Sequence, residues 1–387
     1  MATADLDALL VAVLALLDGD ADALEAPALG ALRADTPAFQ RAGFASGLTA
    51  ALFVAAERCG VAPPATWRAY GEDQRREVAT RLQRFAPVLD TALGALAGAD
   101  VPALPVKGAV LAEGRWAAAG LAGARPMSDL DLLVAPAQRE RAIAALAGCG
   151  YRLVERSPWE DTVLAWGDGS VGRTDGESAD HNGKIELHPG WVERLHHYLV
   201  DDGGLLLGEL ATPGELGGRA CLRLDDAALA LHVLGHLAAT VIRAETRPMH
   251  VLDAVLCLEA LDDDDRARLS ALGRHIDARL LAPALWLVAR YRPHAVPDGL
   301  LEGSMARLGP RARRRLEHSD RQAVLRDPSN RTTVAWREAF TTTAAERLAM
   351  ARQALAPPGV DGRGGGTLGL AVQAERARRL LRVPGRR

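Results

Sequence analysis

The stretch Arg125-Pro-Met-Ser-Asp-Leu-Asp-Leu-Leu-Val134 decides the fold that we expect for this chain. Polar and apolar residues alternate from Ser128 to Leu132, which is typical of a β-strand with one face toward the core. On such a strand Asp129 and Asp131 share one face, while the leucines enter the core. Two carboxylates so close repel each other, and both stay ionised most easily with a cation between them. Magnesium suits this pair because it prefers carboxylate, water and phosphate oxygens.

A third acidic residue is expected on a neighbouring strand. In Lys184-Ile-Glu-Leu-His188 the same alternation places Lys184, Glu186 and His188 on one face. Two adjacent strands of this kind bring three carboxylates together with a lysine and a histidine. Each pattern alone has a simpler interpretation, since an Asp-x-Asp pair is more often a solvated strand edge. The Lys-x-Glu-x-His segment also fits an ordinary half-exposed strand.

A glycine-marked turn lies upstream of the aspartate pair. The apolar run Val101–Val106 predicts a short strand that ends at Lys107 and Gly108, and a helix follows at 109–118. Such a turn offers free backbone N–H groups to phosphates at the start of the helix. Of the 46 basic residues only Lys107 and Lys184 are lysines. A compact ammonium differs from a guanidinium where it meets a phosphate or carboxylate closely, so this bias gives mild support to a site.

These segments together resemble the polymerase-β-like nucleotidyltransferase superfamily, and more closely its bacterial branch of uncharacterised nucleotidyltransferases. The resemblance extends from about Leu93 to Glu259, and the Asp-x-Asp segment with its flanks is its most specific part. The residues that carry it are Val106-Lys107-Gly108, the stretch from Arg125 to Val134, Gly150-Tyr151 and Ile185–His188, with a weaker match at His236 and Leu252-Asp253.

The resemblance implies a small mixed sheet with flanking helices. It also implies that the protein binds an NTP together with two magnesium ions. Asp129 and Asp131 would bind both metals, and Glu186 would complete the set or act as a general base. A hydroxyl or phosphate of the acceptor would attack the α-phosphorus in line, and pyrophosphate would leave. The nucleotide-binding residues would be Lys107, Gly108, Arg125 and Ser128, and the acceptor pocket would involve Lys184, His188, His236 and Asp253.

The chain departs from the superfamily pattern at two places. A serine usually follows the glycine of the phosphate turn, but Ala109 follows Gly108 here, so one hydroxyl contact is missing. The aromatic residue expected directly after the histidine is replaced by Pro189 and Gly190, with Trp191 just beyond. The acceptor side of the pocket is therefore expected to differ.

The fold class that we predict is α+β, with a small mixed sheet flanked by helical regions. Helical periodicity predicts one helix over 38–59, and a Gly-, Asp- and Ser-rich stretch predicts an exposed loop at 167–183. The predicted division is an N-terminal helical region at 1–98, the α/β core at 99–205, a C-terminal helical domain at 206–357, and a Gly-rich linker with a basic tail at 358–387.

Composition narrows the classes of protein that fit. The net charge of −3 over 387 residues argues against a broad basic field for nucleic acid, which makes nucleic acid an unlikely partner. The four cysteines lie far apart without a C-x-x-C pair, which indicates reduced thiols. The apolar run at 9–17 is too short to span a bilayer and has no basic segment before it. We interpret it as a buried helix face in a cytoplasmic protein that does not bind membranes.

Two further patterns have competing interpretations. His232 and His236 are four residues apart on a predicted helix, which is a geometry for metal ligands, but no acidic third ligand is evident. Packing in the core or in a substrate pocket is the preferred interpretation. The basic runs at 311–315 and 376–387 are most simply solvated helix faces, and an acidic partner or a nucleic acid stays open.

The sequence therefore predicts an enzyme that transfers an NMP from an NTP, such as ATP, to a small molecule or peptide, for example in natural-product biosynthesis. One alternative is a non-catalytic module on the same fold that senses a nucleotide or binds a partner. Another is a toxin-like transferase that acts on RNA or protein. Fold resemblance does not determine the NTP, the acceptor or the oligomeric state.

Overall fold

The computed structural model describes residues 3–156, 160–165, 183–195, 198–201, 204–325 and 338–347. A five-stranded mixed sheet is flanked by helices that precede and follow it in the chain, so the predicted fold class is confirmed. The predicted loop at 167–183, apart from Gly183, and the linker and basic tail at 358–387 lie outside the described residues. The division into four regions stays a prediction.

The sheet has the strand order β1-β2-β5-β4-β3, and only the β2–β5 pair is parallel. Its strands are β1 (Ala103–Val106), β2 (Leu130–Val134), β3 (Tyr151–Arg156), β4 (Asp161–Ala165) and β5 (Ile185–Pro189). Strand β2 has the bounds predicted from its alternating pattern. Its apolar residues Leu130 and Leu132 are completely buried, as are Ile185 and Leu187 of β5. The alternation therefore directs the polar residues of both strands to the opposite face.

The register of the three strands at one edge brings polar residues together. Asp131 pairs with Val106 of β1 on one side and with Glu186 of β5 on the other. Neighbouring strands lie about 4.8 Å apart, so residues in register on one face are in contact distance. Lys107 follows Val106 directly and therefore reaches the same place.

The N-terminal region consists of helices that pack on one another and on the sheet. They are α1 (Thr3–Leu17), α2 (Gly30–Ala34), α3 (Thr36–Ser46), α4 (Thr49–Arg58) and α5 (Ala65–Gly98). The prediction of one helix over 38–59 is wrong, because the chain turns at Gly47 between α3 and α4. Gly47 has φ 70°, a left-handed conformation that ends α3 and that glycine adopts without strain.

Two helices accompany the sheet strands. Gly108–Leu111 forms the short α6, which continues as a π-helical turn at Ala112–Trp116, and α7 (Arg139–Gly148) connects β2 to β3. A hairpin of β6 (Val192–Leu195) and β7 (Tyr198–Asp201) follows β5, and a second hairpin of β8 (Ala211–Leu216) and β9 (Arg219–Leu224) precedes the C-terminal helices. The region at 206–357 was predicted to be helical, so the second hairpin was not expected from the sequence.

The C-terminal helices are α8 (Asp226–Arg243), α9 (Pro248–Glu259), α10 (Asp263–Gly273), α11 (Ala282–Ala289), α12 (Leu300–Arg307) and α13 (Pro310–Glu317). Helix α8 contacts α9, α10, α11 and β6. Within the described ranges, α8 is also the one helix long and apolar enough to cross a membrane, and 83% of it is buried inside the protein. Because α8 packs on β6 and α9, one of its faces lies beside the polar residues of β2 and β5.

Candidate active site

Three carboxylates meet at the polar face of β2 and β5. Asp131 and Glu186 meet because they pair in register between β2 and β5, and both side chains are largely buried. Asp129 was predicted to lie on the same strand, which is not correct, because β2 begins at Leu130. The backbone N–H of Leu130 donates to the carbonyl of Lys184, just before β5, and Asp129 precedes Leu130 in a bend. Its side chain nevertheless lines the same cleft as Asp131 and Glu186.

Three basic side chains contact these carboxylates. Lys107 Nζ lies 2.7 Å from Asp131 Oδ1, and His188 Nε2 lies 2.8 Å from the same oxygen. Lys184 Nζ contacts Glu186 Oε1 and lies 3.4 Å from Asp129 Oδ2. The only two lysines of the chain are therefore both bound to this acidic cluster.

The two aspartates have opposite electrostatic environments. Burial raises the pKa of Asp129, and the neighbouring carboxylates of Glu186 and Asp131 raise it further, so its charged form is disfavoured. Burial also opposes the charge of Asp131, but Lys107 and His188 outweigh it and hold the pKa of that carboxyl well below its usual range. Asp131 is thus the fixed anion of the cluster, and Asp129 needs an additional cation to ionise easily.

The turn after β1 has a strained backbone at Lys107. Its φ of 51° and ψ of −120° lie in a region that non-glycine residues rarely adopt, and such strain is concentrated at functional sites. The next residue must be small, because a Cβ at Gly108 would lie 3.1 Å from Met127 Cβ and 3.2 Å from Arg125 Nη1. The turn therefore presses the backbone of Gly108 against the segment that leads into β2.

Arg125 is fixed by a buried ion pair with Asp253 of α9. Its Nε and Nη2 donate to Asp253 Oδ1 and Oδ2, each at 2.8 Å, and Trp116 Nε1 donates to the same carboxylate at 2.7 Å. The side chains of Arg125 and Asp253 are only 6% and 5% exposed. The guanidinium predicted to contact a triphosphate is thus held rigidly, and Asp253, predicted for the acceptor pocket, is the residue that holds it.

Two adjoining clefts contain the polar residues. The first, which we call the carboxylate cleft, has a volume of about 330 Å³, a size typical of small-molecule sites. Of the residues predicted from the sequence, it is lined by Lys107, Gly108, Arg125, Ser128, Asp129, Asp131, Glu186, His236 and Asp253. The second, which we call the side cleft, has a volume of about 360 Å³ and is lined by His188 together with Lys107 and His236. Lys184 lies between Asp129 and Glu186.

The donor set of the acidic cluster fits a divalent cation. The ligand atoms of Asp131, Glu186 and His188 all lie within 4.8 Å of one another, close enough for one ion to bridge them. Asp129 is connected to Glu186 through the ammonium group of Lys184, which occupies a position between two carboxylates. Carboxylate oxygens are the ligands that Mg²⁺ prefers, so the imidazole of His188 is a less suitable ligand than the carboxylates of Asp131 and Glu186.

Several residues of the two clefts were not expected from the sequence. His250 and Arg247 line the carboxylate cleft, and Glu193 lines the side cleft. Glu160 lines both, at the entrance to β4. Glu193 lies on β6, two residues after Trp191, a spacing that indicates a shared face. Nothing in that short segment shows which face meets the site.

A mixed sheet that presents clustered carboxylates next to a Lys-Gly turn has the arrangement expected of nucleotidyltransferases. The chain belongs to the uncharacterised nucleotidyltransferase family, whose model matches residues 33–293. The resemblance to nucleotidyltransferases and the predicted enzyme class are thereby confirmed, so the protein is an enzyme that transfers an NMP from an NTP to an acceptor. Members of this class generally use divalent metals, and the acidic cluster is consistent with that.

Two other comparisons add context. The chain is similar to the solution structure of the antibiotic-resistance factor ANT(2'')-Ia, with a TM-score of 0.32 and 16% sequence identity. The similarity covers 49% of this chain and 95% of that chain. No curated protein matches this chain.

Proposed function

We propose that the protein transfers an NMP from an NTP to a hydroxyl or phosphate of a small-molecule or peptide acceptor, in a reaction that requires Mg²⁺ and releases pyrophosphate. The observation that carries this proposal is the alignment of Asp131 with Glu186 across β2 and β5, beside Asp129 and the Lys107–Gly108 turn. Three carboxylates in one cleft, of which Asp131 is buried, repel one another unless cations compensate them.

Asp129, Asp131 and Glu186 are the residues that would hold the metal, as two ions. When bound, Mg²⁺ neutralises the phosphate charge and lowers the energy of the attacking and leaving oxygens. Lys184 now balances the charge of Asp129 and Glu186, and we expect its ammonium to withdraw from them when a metal binds. His188 and Lys107 keep Asp131 ionised through contacts on one oxygen, which leaves the other oxygen available.

The triphosphate would bind beside the turn after β1. Lys107, Gly108 and Ser128 line the carboxylate cleft there, and Arg125 is aligned by Asp253 before any ligand arrives. A preorganised guanidinium costs little entropy on binding, and it matches phosphate oxygens with its fixed geometry. Because Nε and Nη2 already donate to Asp253, Nη1 is the end of the guanidinium that would face a phosphate.

Glu186 is the residue that would receive the proton of an acceptor hydroxyl. Its carboxylate is 12% exposed and lines the carboxylate cleft, so an acceptor oxygen can come within hydrogen-bond distance. As that oxygen bonds to the α-phosphorus, the bond to pyrophosphate breaks and the hydroxyl proton passes to Glu186.

The proposal is tested by incubation with each NTP and Mg²⁺ in the presence of candidate acceptors, with pyrophosphate release and a labelled adduct as readouts. We expect chelation of the metal to abolish transfer, and Asp131→Asn to lower it by at least about 10³-fold. Asp298→Asn, an exposed aspartate before α12, is the matched control and should match the wild type.

Two outcomes would contradict the proposal. The first is equal pyrophosphate release by the wild type and by a combined Asp129→Asn and Asp131→Asn variant. The second is NTP binding that needs no Mg²⁺ and is unchanged by Asp131→Asn, which would favour a nucleotide sensor on the same fold.

A further inference from the structure

The side cleft opens next to the carboxylate cleft and shares three lining residues with it, Lys107, Glu160 and His236. Strand β6 and helix α8 form much of its wall, through Glu193 and His232. A molecule in the side cleft would therefore lie directly beside whatever occupies the acidic cluster. Its volume of about 360 Å³ is large enough for a small ligand of its own.

The side cleft is rich in carboxylates that are not part of the acidic cluster. Glu155, Glu160 and Glu193 line it. The two strong cations in its wall are already bound to other acids, since Lys107 pairs with Asp131 and Arg243 lies 3.0 Å from Glu245. Glu193 and Glu155 therefore give this space acidic side chains other than those that bind its two strong cations.

Glu193 is the most deeply placed of these acids, with 7% of its surface exposed. Burial opposes its charge, but the nearby His236, Lys107 and His232 overcome this and lower the pKa of Glu193 to about 2, so it stays ionised. Trp191 Nε1 donates to its Oε1 at 3.2 Å, and His236 Nδ1 is 3.7 Å from the same oxygen. A carboxylate accepts about four hydrogen bonds, so capacity remains for a further donor.

His232 is a second and independent indication of a ligand. It is only 1% exposed and lines the side cleft, yet neither of its ring nitrogens has a hydrogen-bond partner among the described residues. Its ring packs edge-on against Trp191, with 5.4 Å between the ring centroids. Buried polar groups without partners are rare and cost stability, and they are usually satisfied by a ligand or by water.

We propose that the side cleft is the acceptor subsite and that it takes a hydroxyl compound that carries an ammonium group. The ammonium donates to the carboxylate of Glu193, and a neighbouring polar group of the acceptor bonds to His232. The acceptor hydroxyl then points across the shared wall at Lys107 and Glu160 toward the acidic cluster. This assignment rests on the proposed function, which it deepens by naming the class of acceptor.

Binding of two matched pairs of probes tests the assignment. Glucosamine and glucose form one pair, and serinol and glycerol form the other, because the members of each pair differ in an ammonium against a hydroxyl. Dissociation constants are measured by ligand-observed NMR on the full chain at neutral pH. We expect at least one ammonium compound to bind about tenfold more tightly than its neutral partner, as a charge-assisted hydrogen bond provides.

Two variants locate the preference. Glu193→Gln keeps the shape of the side chain and removes its charge, and we expect it to abolish most of the tenfold preference. Glu155→Gln changes an exposed residue of the same cleft and provides a second reading if Glu193→Gln does not fold. Glu72→Gln, an exposed position on α5, is the matched control and should bind all probes as the wild type does. Circular dichroism and thermal melting check the fold of each variant.

The assignment is overturned if neither pair shows a preference for the ammonium compound, or if a folded Glu193→Gln variant retains that preference in full. If Glu193→Gln does not fold, full retention of the preference by Glu155→Gln overturns it. These binding readouts need no nucleotide transfer. An ammonium preference that depends on Glu193 in a protein that releases no pyrophosphate would support the acceptor class and contradict the proposed function. Transfer activity without any ammonium preference would support the proposed function and contradict the acceptor class.

Discussion

The ammonium of Lys107 lies 2.7 Å from the carboxylate of Asp131, and this contact joins the end of β1 to the middle of β2. It follows from the antiparallel register, in which Val106 pairs with Asp131 and the next residue turns over the strand. His188 of β5 binds the same oxygen from the other side. One aspartate of the pair is therefore neutralised within the protein by close contacts, whereas Lys184 lies 3.4 Å from the carboxylate of Asp129.

This asymmetry predicts opposite effects of two similar substitutions on the stability of the metal-free protein. Asp129→Asn removes a charge that burial and neighbouring carboxylates disfavour, so the free energy of unfolding should rise by about 1–2 kcal/mol. Asp131→Asn leaves the partly buried Lys107 without its anion, so the same quantity should fall by about 1–3 kcal/mol. Urea unfolding in the presence of a chelator measures both. Equal shifts in the same direction would contradict the assignment of the two environments.

The close approach at Gly108 predicts an effect on nucleotide binding. Gly108→Ala would push against Met127 and Arg125, which lie 3.1 and 3.2 Å from the added Cβ. We expect the dissociation constant of the NTP to rise by about tenfold, since a displaced wall loses about 1.4 kcal/mol. Gly114→Ala is the control, because nothing lies within 4 Å of a Cβ there. Fluorescence titration with a labelled NTP compares them, and equal affinities would show that the turn does not touch the nucleotide.

Removing one partner of the Arg125–Asp253 pair is expected to lower the free energy of unfolding more than replacing both partners with apolar residues. Asp253→Ala leaves a buried guanidinium without an anion and should lower the free energy of unfolding by about 3–5 kcal/mol. The double variant Arg125→Met with Asp253→Leu removes both charges and should recover most of that loss. Denaturant unfolding of the single variants Arg125→Met and Asp253→Leu and of the double variant gives the coupling energy. Additive effects would mean that the pair is not coupled in the folded protein.

The part of the site that could be predicted from the sequence is the part that short-range periodicity determines. Alternation fixes which side chains of a strand share a face, and so Asp131, Glu186 and His188 were placed together from two five-residue segments. The strand Leu130–Val134 has the predicted bounds for the same reason. All four cysteines are free thiols, as their separation predicted.

The remaining residues depend on contacts between segments that are distant in the sequence. The side cleft exists because α8 packs on β6, and that packing requires Gly235, where a Cβ would lie 2.0 Å from Trp191 Cζ2. No local pattern in either segment reveals this complementarity, and so Glu193 was missed. The bend at Asp129 has a similar cause, since the bond from Leu130 N–H to Lys184 O, a residue 54 positions away, accompanies the start of the strand.

The imidazole of His232, for which the described part of the chain offers no hydrogen-bond partner, predicts a loss of stability in acid. Burial lowers its pKa from 6.5 to about 3 in the folded protein, so between these values the unfolded chain binds one more proton than the folded one. This contribution is fully present above pH 6.5 and is lost as the pH falls toward 3, by about 1.4 kcal/mol per pH unit. His232→Leu should therefore flatten the dependence of the unfolding free energy on pH between about pH 5 and pH 7. The control His275→Gln, at an exposed histidine, should leave the slope unchanged, and an unchanged slope in His232→Leu would mean that this histidine is already protonated or solvated in the folded protein.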